Sequence, residues 1–383
     1  MTTPLRVAVA CSGLGHIQRG IESWAADLAQ ALRGAGVAVS LFGGYPMLGV
    51  TALPTLRRTG RGAQGVAAAF RHLGGWRYGL GSAYEAEETS FSLSLWQRIR
   101  RDFDILHVQD PLIALWLDRA HRAGLSRPRV IYANGTGEGP AVMRRFRWLQ
   151  LLTQGAADDW AVQRPPGQRV FTIPNFIDTA QFAPGDKPAA RARFGLPADG
   201  VILLCCAAIR RWHKRIDSLL TAFGAATPFL PRDTILVIAG SREADTDGLI
   251  GEGTALLGPR VRFLPDVPRD AMPDLYRTAD AFVLPSLHEM FGIVLLEALS
   301  AGLPVLCNDT NDFRAIAGPG ALYCDLSNEA AFARGLLRLA QPDEGGKLGE
   351  AGREHVQRHY SAETVTRAII DMYQTVQADT VLG

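Results

Sequence analysis

The chain has 383 residues, of which 47% are hydrophobic and 20% charged, and its formal net charge is +2. This length favours two domains, and the composition excludes a disordered or fibrous protein. No run of about 18 apolar residues occurs, so we expect no transmembrane helix. The start, MTTPLRVAVACSGLGH, lacks the features of a signal peptide, and the five cysteines have no metal-type spacing. These features predict a cytoplasmic protein.

The charge is unevenly distributed along the chain. Residues 1–180 contain 20 arginines and 13 acidic residues, a balance of +7, whereas the remainder contains 20 basic and 25 acidic residues, a balance of −5. Arginine is used almost exclusively, and the only lysines are Lys187, Lys214 and Lys347. The base composition of the gene is the simplest explanation, but a lysine retained in such a chain is a candidate for a specific role.

The first half of the chain begins with a βαβ pattern. LRVAVACSG is an apolar run that ends in glycine, as expected of a strand buried on both faces of a parallel sheet. An amphipathic helix, IESWAADLAQALRGAGV, and a second strand, VAVSLFGG, follow. FDILHVQDP and RVIYANGTG repeat the theme of a strand followed by a polar loop. This order predicts a doubly wound α/β domain over residues 1–175.

Residues 165–188 are rich in proline and turn residues and are interpreted as a linker region. Beyond them the alternation restarts, and a second α/β domain is predicted over residues 176–361. Its predicted strands and helices are VILLCCAAI, DSLLTAFGAA, TILVIAG, VRFLPDV, AMPDLYRTA, AFVLPS and LPVLCND. The end of the chain, residues 362–383, is predicted to form an amphipathic helix that Ser361 caps. In such folds a ligand binds in a cleft at the carboxyl ends of the strands.

The stretch HEMFGIVLLEALSAGLPVL places two glutamates, Glu289 and Glu297, eight positions apart after a predicted strand. Glycosidases also use two carboxylates, but these lie roughly 5–9.5 Å apart, whereas eight residues of helix rise about 12 Å. The pair is better suited to holding two points of an elongated ligand. Backbone N–H groups at the helix N-terminus favour an anion, so one carboxylate can bind sugar hydroxyls and the other a ribose. The pattern therefore favours a nucleotide sugar.

Two other groups of residues are candidates for binding phosphate. Arg210, Arg211, Lys214 and Arg215 follow a predicted strand, where fixed cations can stabilise a diphosphate; a solvated basic surface is the alternative. In the first domain, the glycines of SGLGHIQRG would let a loop approach phosphates closely, although this loop lacks the dinucleotide-binding pattern G-x-G-x-x-G. The residues concerned are Gly13 and Gly15, followed by His16, which either faces the ligand or simply begins the helix.

VLPSLHEMFGIVLLEALSAGLPVL resembles the E-x7-E segment of the retaining glycosyltransferases of family 4, which adopt the GT-B fold. Four more segments are similar to that family in the same order: CSGLGHIQRGIESWAADLAQALRGAGVAVSLF, IPNFIDTAQFAP, RRWHKRIDSLLTAF and VRFLPDVPRDAMPDLYRTADAFVLPS. The resemblance covers nearly the whole chain. It implies two Rossmann-like domains that face across a cleft, the first binding the acceptor and the second the donor. It also implies that the C-terminal helix returns to the first domain.

The resemblance implies roles for individual residues. Glu289 would bind the donor sugar near the reacting centre, and Glu297 would hold the ribose. Arg210 and Lys214 match the cations that neutralise the diphosphate, and His107 matches a position that either lines the site or is structural. Glu289, Arg210, Lys214 and His107 are thus the predicted catalytic residues. Backbone contacts with the donor are expected at Met290, Phe291, Gly292 and, near the base, Leu264.

The chain departs from the family pattern at one position. Where the family often has a histidine that contacts the donor sugar, VIYANGTGEG has Asn134. An amide can hydrogen-bond a hydroxyl but does not titrate near neutral pH. The departure leaves the identity of the sugar open but not the reaction class. His16 and Asn134 are the residues expected to line the acceptor or the sugar.

The sequence thus predicts a metal-independent retaining glycosyltransferase without a cofactor. It would move a sugar from a nucleotide-diphosphate sugar to a glycan, lipid-linked or small-molecule acceptor. The resemblance implies a front-face displacement, in which the leaving phosphate accepts the proton of the acceptor. The alternatives are a nucleotide-sugar 2-epimerase or a phosphorylase of the same fold, and a non-catalytic nucleotide-sugar-binding protein. A phosphorylase would need a lysine for pyridoxal phosphate, and Lys214 is the candidate.

Arginines cluster in four segments of the first domain, RRTGR, FRHLGGWRY, QRIRR and MRRFRWLQLL, and are interleaved with Phe, Trp or Tyr in the second and the fourth. In the last, Met143, Phe146 and Leu149 are about a helical turn apart, with three arginines beside them. Such a helix would lie on anionic lipid headgroups at the inner face of the cell membrane. An acceptor that carries phosphate or carboxylate, and a plain helix covering the core, are the alternatives. No nucleic-acid recognition motif accompanies the charge, so we expect no nucleic-acid partner.

Overall fold

A computed structural model describes residues 5–17 and 20–379; Gln18 and Arg19 of the predicted glycine loop lie outside the described residues. The chain divides into two compact units. Unit 1 comprises Met1–Asn175 and Val365–Gly383, and unit 2 comprises Phe176–Thr364. Within the described ranges, no helix combines the length and the apolar character that a membrane span requires.

Unit 1 is built on a seven-stranded parallel sheet of order β3-β2-β1-β4-β5-β6-β7. The order is doubly wound, because the chain runs outward from β1 to β3, crosses to β4 on the other side of β1, and runs outward again. The strands are β1 (Arg6–Cys11), β2 (Ala38–Gly43), β3 (Val50–Ala52), β4 (Ile105–Val108), β5 (Arg129–Ala133), β6 (Trp148–Leu151) and β7 (Arg169–Thr172). The helices are α1 (Gly20–Gly34), α2 (Arg61–Phe70), α3 (Ala83–Ile99), α4 (Pro111–Arg122), α5 (Pro140–Met143) and α6 (Gln154–Ala161), with a 3₁₀ turn at Gly75–Tyr78.

Helices cover both faces of this sheet, which explains its apolar strands. Every residue of β4 and β6 is buried, as in parallel sheets generally. On one face, Phe91 of α3 and Ile113 of α4 belong to a core cluster that includes Leu106 of β4. The apolar residues of α3 and α4 therefore hold these two helices against one face of the sheet.

The helix predicted around residues 143–150 is wrong. α5 ends at Met143, and Trp148–Leu151 forms β6 between β5 and β7. Phe146 and Trp148 are each 1% exposed, so they cannot lie on a lipid surface. A short apolar run does not distinguish a buried strand from a helix. The predicted linker is also partly wrong, because Arg169–Thr172 within it forms β7.

Unit 2 has a six-stranded parallel sheet of order β10-β9-β8-β11-β12-β13. The strands are β8 (Ile202–Cys206), β9 (Ile235–Gly240), β10 (Val261–Pro265), β11 (Ala281–Val283), β12 (Val305–Asn308) and β13 (Ala321–Cys324). The helices are α7 (Lys187–Arg193), α8 (Ile216–Ala226), α9 (Thr246–Leu257), α10 (Met272–Thr278), α11 (Ile293–Ser300), α12 (Asn311–Ala317), α13 (Glu329–Leu339) and α14 (Pro342–His359). Short 3₁₀ turns occur at Thr227–Phe229, Gly258–Arg260, Arg269–Ala271 and Gly318–Gly320.

The last helix, α15 (Ala362–Ala378), belongs from Val365 onward to unit 1. The hydroxyl of Tyr373 in α15 lies 2.8 Å from His107 of β4. Arg129 of β5 donates hydrogen bonds to the carbonyl groups of Val376 and Gln377. The expected return of the C-terminal helix to the first domain is therefore observed.

The packing of α14 against α11 depends on a glycine. A Cβ at Gly349 would lie 2.1 Å from the carbonyl oxygen of Gly302, whereas a Cβ at Gly346 of the same helix would meet no atom of the described residues within 4 Å. We expect Gly349→Ala to destabilise the protein by about 1–3 kcal/mol, because backbone must shift. Gly346→Ala should instead be neutral or stabilising by up to about 1 kcal/mol through helix propensity. Urea denaturation measures both, and equal midpoints would contradict this account of the packing.

Candidate functional site

The first group of candidate residues follows β8 and β11, which are neighbours in the sheet of unit 2. Leu204 of β8 pairs with Phe282 of β11. The strand order reverses between these strands, and α/β sheets bind ligands beyond the carboxyl ends of strands at such a position. The loop after β8 carries Arg210–Arg215, and the loop after β11 carries His288–Gly292. Parallel pairing of the two strands therefore brings the cations and the first glutamate to one edge of the sheet.

The two loops are joined by an ion pair between Lys214 Nζ and Glu289 Oε1. The side chains are 18% and 11% exposed, so water screens the pair only in part. His213 Nε2 lies 3.9 Å from the other oxygen of Glu289. Burial lowers the pKa of His213 by more than the charge of Glu289 raises it. Lys214 is therefore the cation that neutralises Glu289.

The backbone around Lys214 is in an uncommon conformation. His213 and Arg215, on either side of it, have positive φ angles of 68° and 49°. Left-handed backbone at residues other than glycine costs on the order of 1–3 kcal/mol each. The Arg215 guanidinium offsets part of that cost, since it donates to the carbonyl oxygens of Leu326 at 2.8 Å and Pro285 at 3.4 Å. These contacts fix the β8 loop beside the β11 loop.

The four cations of the β8 loop differ in their partners. Arg211 pairs with Glu252, and Arg215 is bound by carbonyl groups. The Nε of Arg210 is buried and has no hydrogen-bond partner in the described part of the chain. Arg210 thus keeps a donor available for an anion, a few residues from Lys214.

Helix α11 begins next to these cations without a side-chain cap. Gly292, which precedes it, has φ 79°, a left-handed conformation that glycine adopts without strain. As a glycine, Gly292 has no side chain that could cap α11, whereas Asn328 and Thr310 cap α13 and α12. Uncapped N–H groups and the helix dipole favour an anion at this end.

Glu297 lies about one turn into α11 and is partly buried. Its Oε2 accepts a hydrogen bond of 2.7 Å from the hydroxyl of Tyr276 in α10. Tyr276 is fully buried. Sequence reasoning missed Tyr276, because it lies in a different helix and no local pattern marks it. The hydrogen bond fixes the orientation of the Glu297 carboxylate.

The predicted backbone contacts have different surroundings. The side chain of Phe291 is buried and lies against the ring of Tyr360, with a centroid distance of 5.9 Å, so only its backbone is available to a ligand. Met290 is exposed. Leu264 lies in the edge strand β10, two strands from β8. In the ranges that the structure describes, no three His, Cys, Asp or Glu side chains are grouped to hold a metal ion.

In unit 1, packing explains both glycines of the predicted loop. A Cβ on Gly13 would lie 2.1 Å from Oε1 of Glu22, and a Cβ on Gly15, whose φ is 91°, would lie 2.8 Å from Cβ of Tyr45. His16 Nε2 is 3.0 Å from Oε2 of Glu87. Contacts inside unit 1 thus set the shape of the loop, and its approach to phosphate stays a prediction.

A buried group of charges that was not predicted lies behind this loop. Glu87 of α3 accepts hydrogen bonds from Arg58 N at 2.6 Å and from Arg58 Nε at 2.8 Å. Burial by itself raises the pKa of Glu87, but the hydrogen bonds from Arg58 and His16 outweigh it, and the pKa lies below its usual range. Glu87 is therefore an ionised carboxylate that holds both His16 and Arg58.

Two further carboxyl groups, Glu88 and Asp110, lie beside this cluster. Burial and the charge of Asp110 raise the pKa of Glu88 well above its usual range. Burial and the charge of Glu22 raise the pKa of Asp110 to about 6. Asp110 precedes α4 but does not cap it; the N–H of Leu112 donates instead to Glu88 Oε2 at 3.0 Å. Asp110 follows the carboxyl end of β4, a position at which sequence analysis could have recognised it. The sequence of α3 has no pattern that distinguishes its buried glutamates.

The structure favours the structural alternative for His107. The residue is fully buried in β4; its Nε2 is 2.8 Å from Oε1 of Gln150, and its Nδ1 is 2.8 Å from the hydroxyl of Tyr373. The edge of its ring lies against Trp24. Burial lowers the pKa of His107 to about 3. Both nitrogens are engaged within unit 1, so a catalytic role for His107 is not supported.

Asn134 also has a structural role. It is buried after β5, and its Oδ1 accepts a hydrogen bond of 2.9 Å from the N–H of Glu138. Its Nδ2 lies 3.0 Å from Sδ of Met143. The amide closes the loop between β5 and α5, and this explains an asparagine here without reference to a sugar.

Two protein-family models match the chain, one in each half. The model described as Glycosyltransferase Family 4 matches residues 18–181, and the model described as Glycosyl transferases group 1 matches residues 186–355. The chain belongs to glycosyltransferase family 4. The family named from the sequence resemblance is thus confirmed.

This family-4 chain is 31% identical over 229 residues to a D-inositol 3-phosphate glycosyltransferase of Saccharomonospora viridis. The alignment covers 55% of the chain and 51% of that relative, so the chain spans about half the length of the curated relatives it matches.

Solved structures resemble the family-4 chain over almost its whole length. Sucrose-phosphate synthase from Thermosynechococcus elongatus has a TM-score of 0.78 at 19% identity, covering 98% of this chain and 100% of the other. Anabaena HepE in complex with UDP-glucose has a TM-score of 0.71 at 13% identity, covering 97% and 100%. These likenesses confirm the predicted GT-B fold.

The buried His107 makes the stability of the protein depend on pH. Its folded-state pKa of about 3 lies below the ordinary value of 6.5, so an unfolded chain binds a proton that the folded chain does not. The free energy of unfolding should therefore fall as the pH decreases through this window, by up to about 1.4 kcal/mol per pH unit. Urea denaturation of wild type and His107→Gln between about pH 7 and about pH 4 tests this.

The wild type should lose more stability than His107→Gln over this range. His359→Gln, which removes an exposed histidine, should lose as much as the wild type. Parallel pH profiles for wild type and His107→Gln would show that His107 is not held neutral by its buried contacts.

Proposed function

We propose that this chain is a retaining glycosyltransferase that moves a sugar from a nucleotide-diphosphate sugar to an acceptor hydroxyl, without a metal ion or cofactor. The ion pair of Lys214 with Glu289, beside Arg210 and the uncapped N-terminus of α11, carries the proposal. Cations and an anion-binding helix end suit a diphosphate, and the carboxylate suits a sugar. Family membership supports the reaction class, and the UDP-glucose complex of HepE supports the class of donor.

The donor is proposed to lie along the carboxyl edge of the sheet of unit 2. Arg210, Lys214 and the N–H groups of α11 bind the diphosphate. Glu289 accepts hydrogen bonds from sugar hydroxyls, and Glu297, oriented by Tyr276, accepts them from the ribose. Backbone groups around Leu264 meet the base.

The reaction proceeds as a displacement on one face of the sugar. The bond between the anomeric carbon and the diphosphate oxygen breaks, and the acceptor oxygen bonds to the same face of that carbon. The proton of the acceptor hydroxyl passes to the departing phosphate. Negative charge grows on the diphosphate as the bond breaks, so Arg210 and Lys214 stabilise the transition state more than the bound donor.

The acceptor is proposed to bind to unit 1, as the family resemblance implies, and it is a glycan, a lipid-linked sugar or a small molecule. We place the reaction in the cytoplasm. Five cysteines without a disulfide support this location, because thiols persist in a reducing compartment.

Replacement of Glu297 tests the proposed donor site. Glu297→Ala should weaken binding of the matching nucleotide sugar about tenfold or more, because a hydrogen bond to a charged group contributes about 1.5–3 kcal/mol. Tyr276→Phe keeps the carboxylate but loses its anchor and should have a smaller effect. Isothermal titration against UDP-, GDP- and ADP-sugars measures both.

Glu329→Ala removes an exposed carboxylate of the same unit and serves as the control, with unchanged affinity expected. A folded Glu297→Ala protein that binds the donor as tightly as wild type would remove the ribose role. Release of nucleotide without any acceptor, together with an epimerised sugar, would identify an epimerase instead.

Replacement of Lys214 tests the proposed chemistry. Lys214→Ala should lower kcat by a larger factor than it weakens donor binding, because the diphosphate gains charge in the transition state. Activity of the wild type should persist in EDTA, since protein cations take the place of a metal. Steady-state kinetics with the donor found by titration measure both.

A paired variant separates chemistry from stability in this test. Lys214→Ala leaves Glu289 as a partly buried carboxylate without its cation, which destabilises the loops. Lys214→Met/Glu289→Gln removes both charges and should recover stability but not activity. Loss of wild-type activity in EDTA with recovery in Mg²⁺ or Mn²⁺ would overturn the metal-independent mechanism.

A further inference from the structure

Nine residues of unit 1, Phe70–Tyr78, present large apolar side chains to solvent. Leu73, Trp76 and Tyr78 are 73%, 67% and 60% exposed, and Phe70 is exposed as well. Exposed apolar side chains scattered singly are ordinary, but a contiguous group of them marks a contact surface. We refer to these residues as the 70–78 segment.

Unit 1 holds the 70–78 segment in one compact shape. The segment joins the end of α2 to the 3₁₀ turn at Gly75–Tyr78. A Cβ on Gly75 would lie only 2.7 Å from the carbonyl oxygen of Phe70, so the chain folds back on itself. Thr89 of α3 donates a hydrogen bond of 2.8 Å to the carbonyl oxygen of Gly79. The exposed side chains therefore belong to a tight turn that α3 holds in place.

The sequence around the segment carries mainly positive charge. No acidic residue occurs between Asp27 and Glu85, whereas this stretch contains six arginines. Arg71 and Arg77 of the segment are exposed, and the Arg77 guanidinium lies 5.1 Å from the ring centroid of Trp76. Glu85 is partly buried, and its carboxylate accepts a hydrogen bond of 2.6 Å from the N–H of Gly81. The segment thus combines apolar side chains with positive charge.

The same combination continues onto α4. A Cβ on Gly79 would lie 3.6 Å from Nε1 of Trp116, so this indole borders the segment. The guanidinium of Arg119, an exposed residue, lies 5.1 Å from the ring centroid of Trp116. Two tryptophans, each paired with an arginine, thus lie on adjoining elements.

We propose that the 70–78 segment docks this protein on a bilayer surface that contains anionic lipids. Trp76 and Tyr78 have the apolar body and polar edge that suit the headgroup layer. Leu73 and Phe70 enter the boundary of the acyl chains, and Arg71 and Arg77 meet lipid phosphates. A soluble anion would use the arginines but gain nothing from Leu73 or Phe70, so the observations favour a lipid layer.

This contact surface is not the one that the sequence predicted. MRRFRWLQLL contains β6 and the residues before it, and its Phe146 and Trp148 are buried. Of the two arginine-rich segments that contain aromatic residues, FRHLGGWRY exposes its aromatic side chains to solvent. The proposed docking does not depend on the reaction.

Co-sedimentation of the full chain with vesicles tests the proposal. One set of vesicles contains equal parts of phosphatidylglycerol and phosphatidylcholine, and the other contains phosphatidylcholine alone. We expect binding to the anionic set at about 50 mM NaCl and weaker binding at about 500 mM, because salt screens the arginines.

Two double variants test the two kinds of side chain. Arg71→Gln/Arg77→Gln should weaken binding about tenfold or more, because each arginine near the surface is expected to contribute a factor of about five to the affinity. Leu73→Ala/Trp76→Ala should also weaken binding about tenfold or more, because its apolar side chains are lost.

Phe229→Ala/Arg334→Gln is the matched control, because it removes an exposed aromatic residue and an exposed arginine from unit 2. It should bind vesicles as the wild type does. Thermal unfolding should be unchanged in all three variants, which shows that they are folded. Equal binding to both vesicle sets, no binding to either, or wild-type binding by both variants of the segment would each overturn the proposal.

Discussion

The ion pair between Lys214 and Glu289 is the constraint on which the rest of the candidate donor site depends. The two residues are 75 positions apart and meet only because β8 and β11 pair in parallel. The pair is partly buried, so either charge alone would be costly, and both loops must be ordered at once. The left-handed backbone beside Lys214 and the hydrogen bonds that Arg215 donates keep these loops ordered. On the mechanism proposed, a diphosphate takes Lys214 as its partner, and sugar hydroxyls replace the lysine at Glu289.

Unit 1 differs from unit 2 in where its charged groups lie. Its surface is rich in arginine, while Glu87, Glu88 and Asp110 are buried at the carboxyl ends of β1 and β4. One of these carboxylates is neutralised by Arg58, and the other two have raised pKa values. Glu87 thus helps to fix the shape of the glycine loop through its contact with His16. At the surface of this unit, Arg71 and Arg77 of the 70–78 segment are exposed to molecules in solution or to a lipid layer.

Local signals explain what could be predicted from the sequence. Apolar runs mark the buried strands, and a pair of glutamates after a strand marks the donor site. The hydrogen bond from Tyr276 to Glu297 joins two different helices, and the contact of His16 with Glu87 spans 71 positions. Neither depends on a local pattern, so neither could be found without the packing of the elements. The sequence left the role of His107 open for a related reason, because a histidine near the end of a strand has the same sequence context whether it is buried or faces a ligand.

The return of α15 to unit 1 has a consequence for the order of biosynthesis. Unit 2 is a continuous stretch of chain, whereas unit 1 needs residues from both sides of it. Domains usually complete their folding from the N-terminus onward as they leave the ribosome. Here the second unit can complete its folding first, whereas the contact between His107 and Tyr373 forms only after α15 has been synthesised. Until then the first unit lacks the contacts of α15 with His107 and Arg129, and the apolar surface that it exposes for that time favours aggregation.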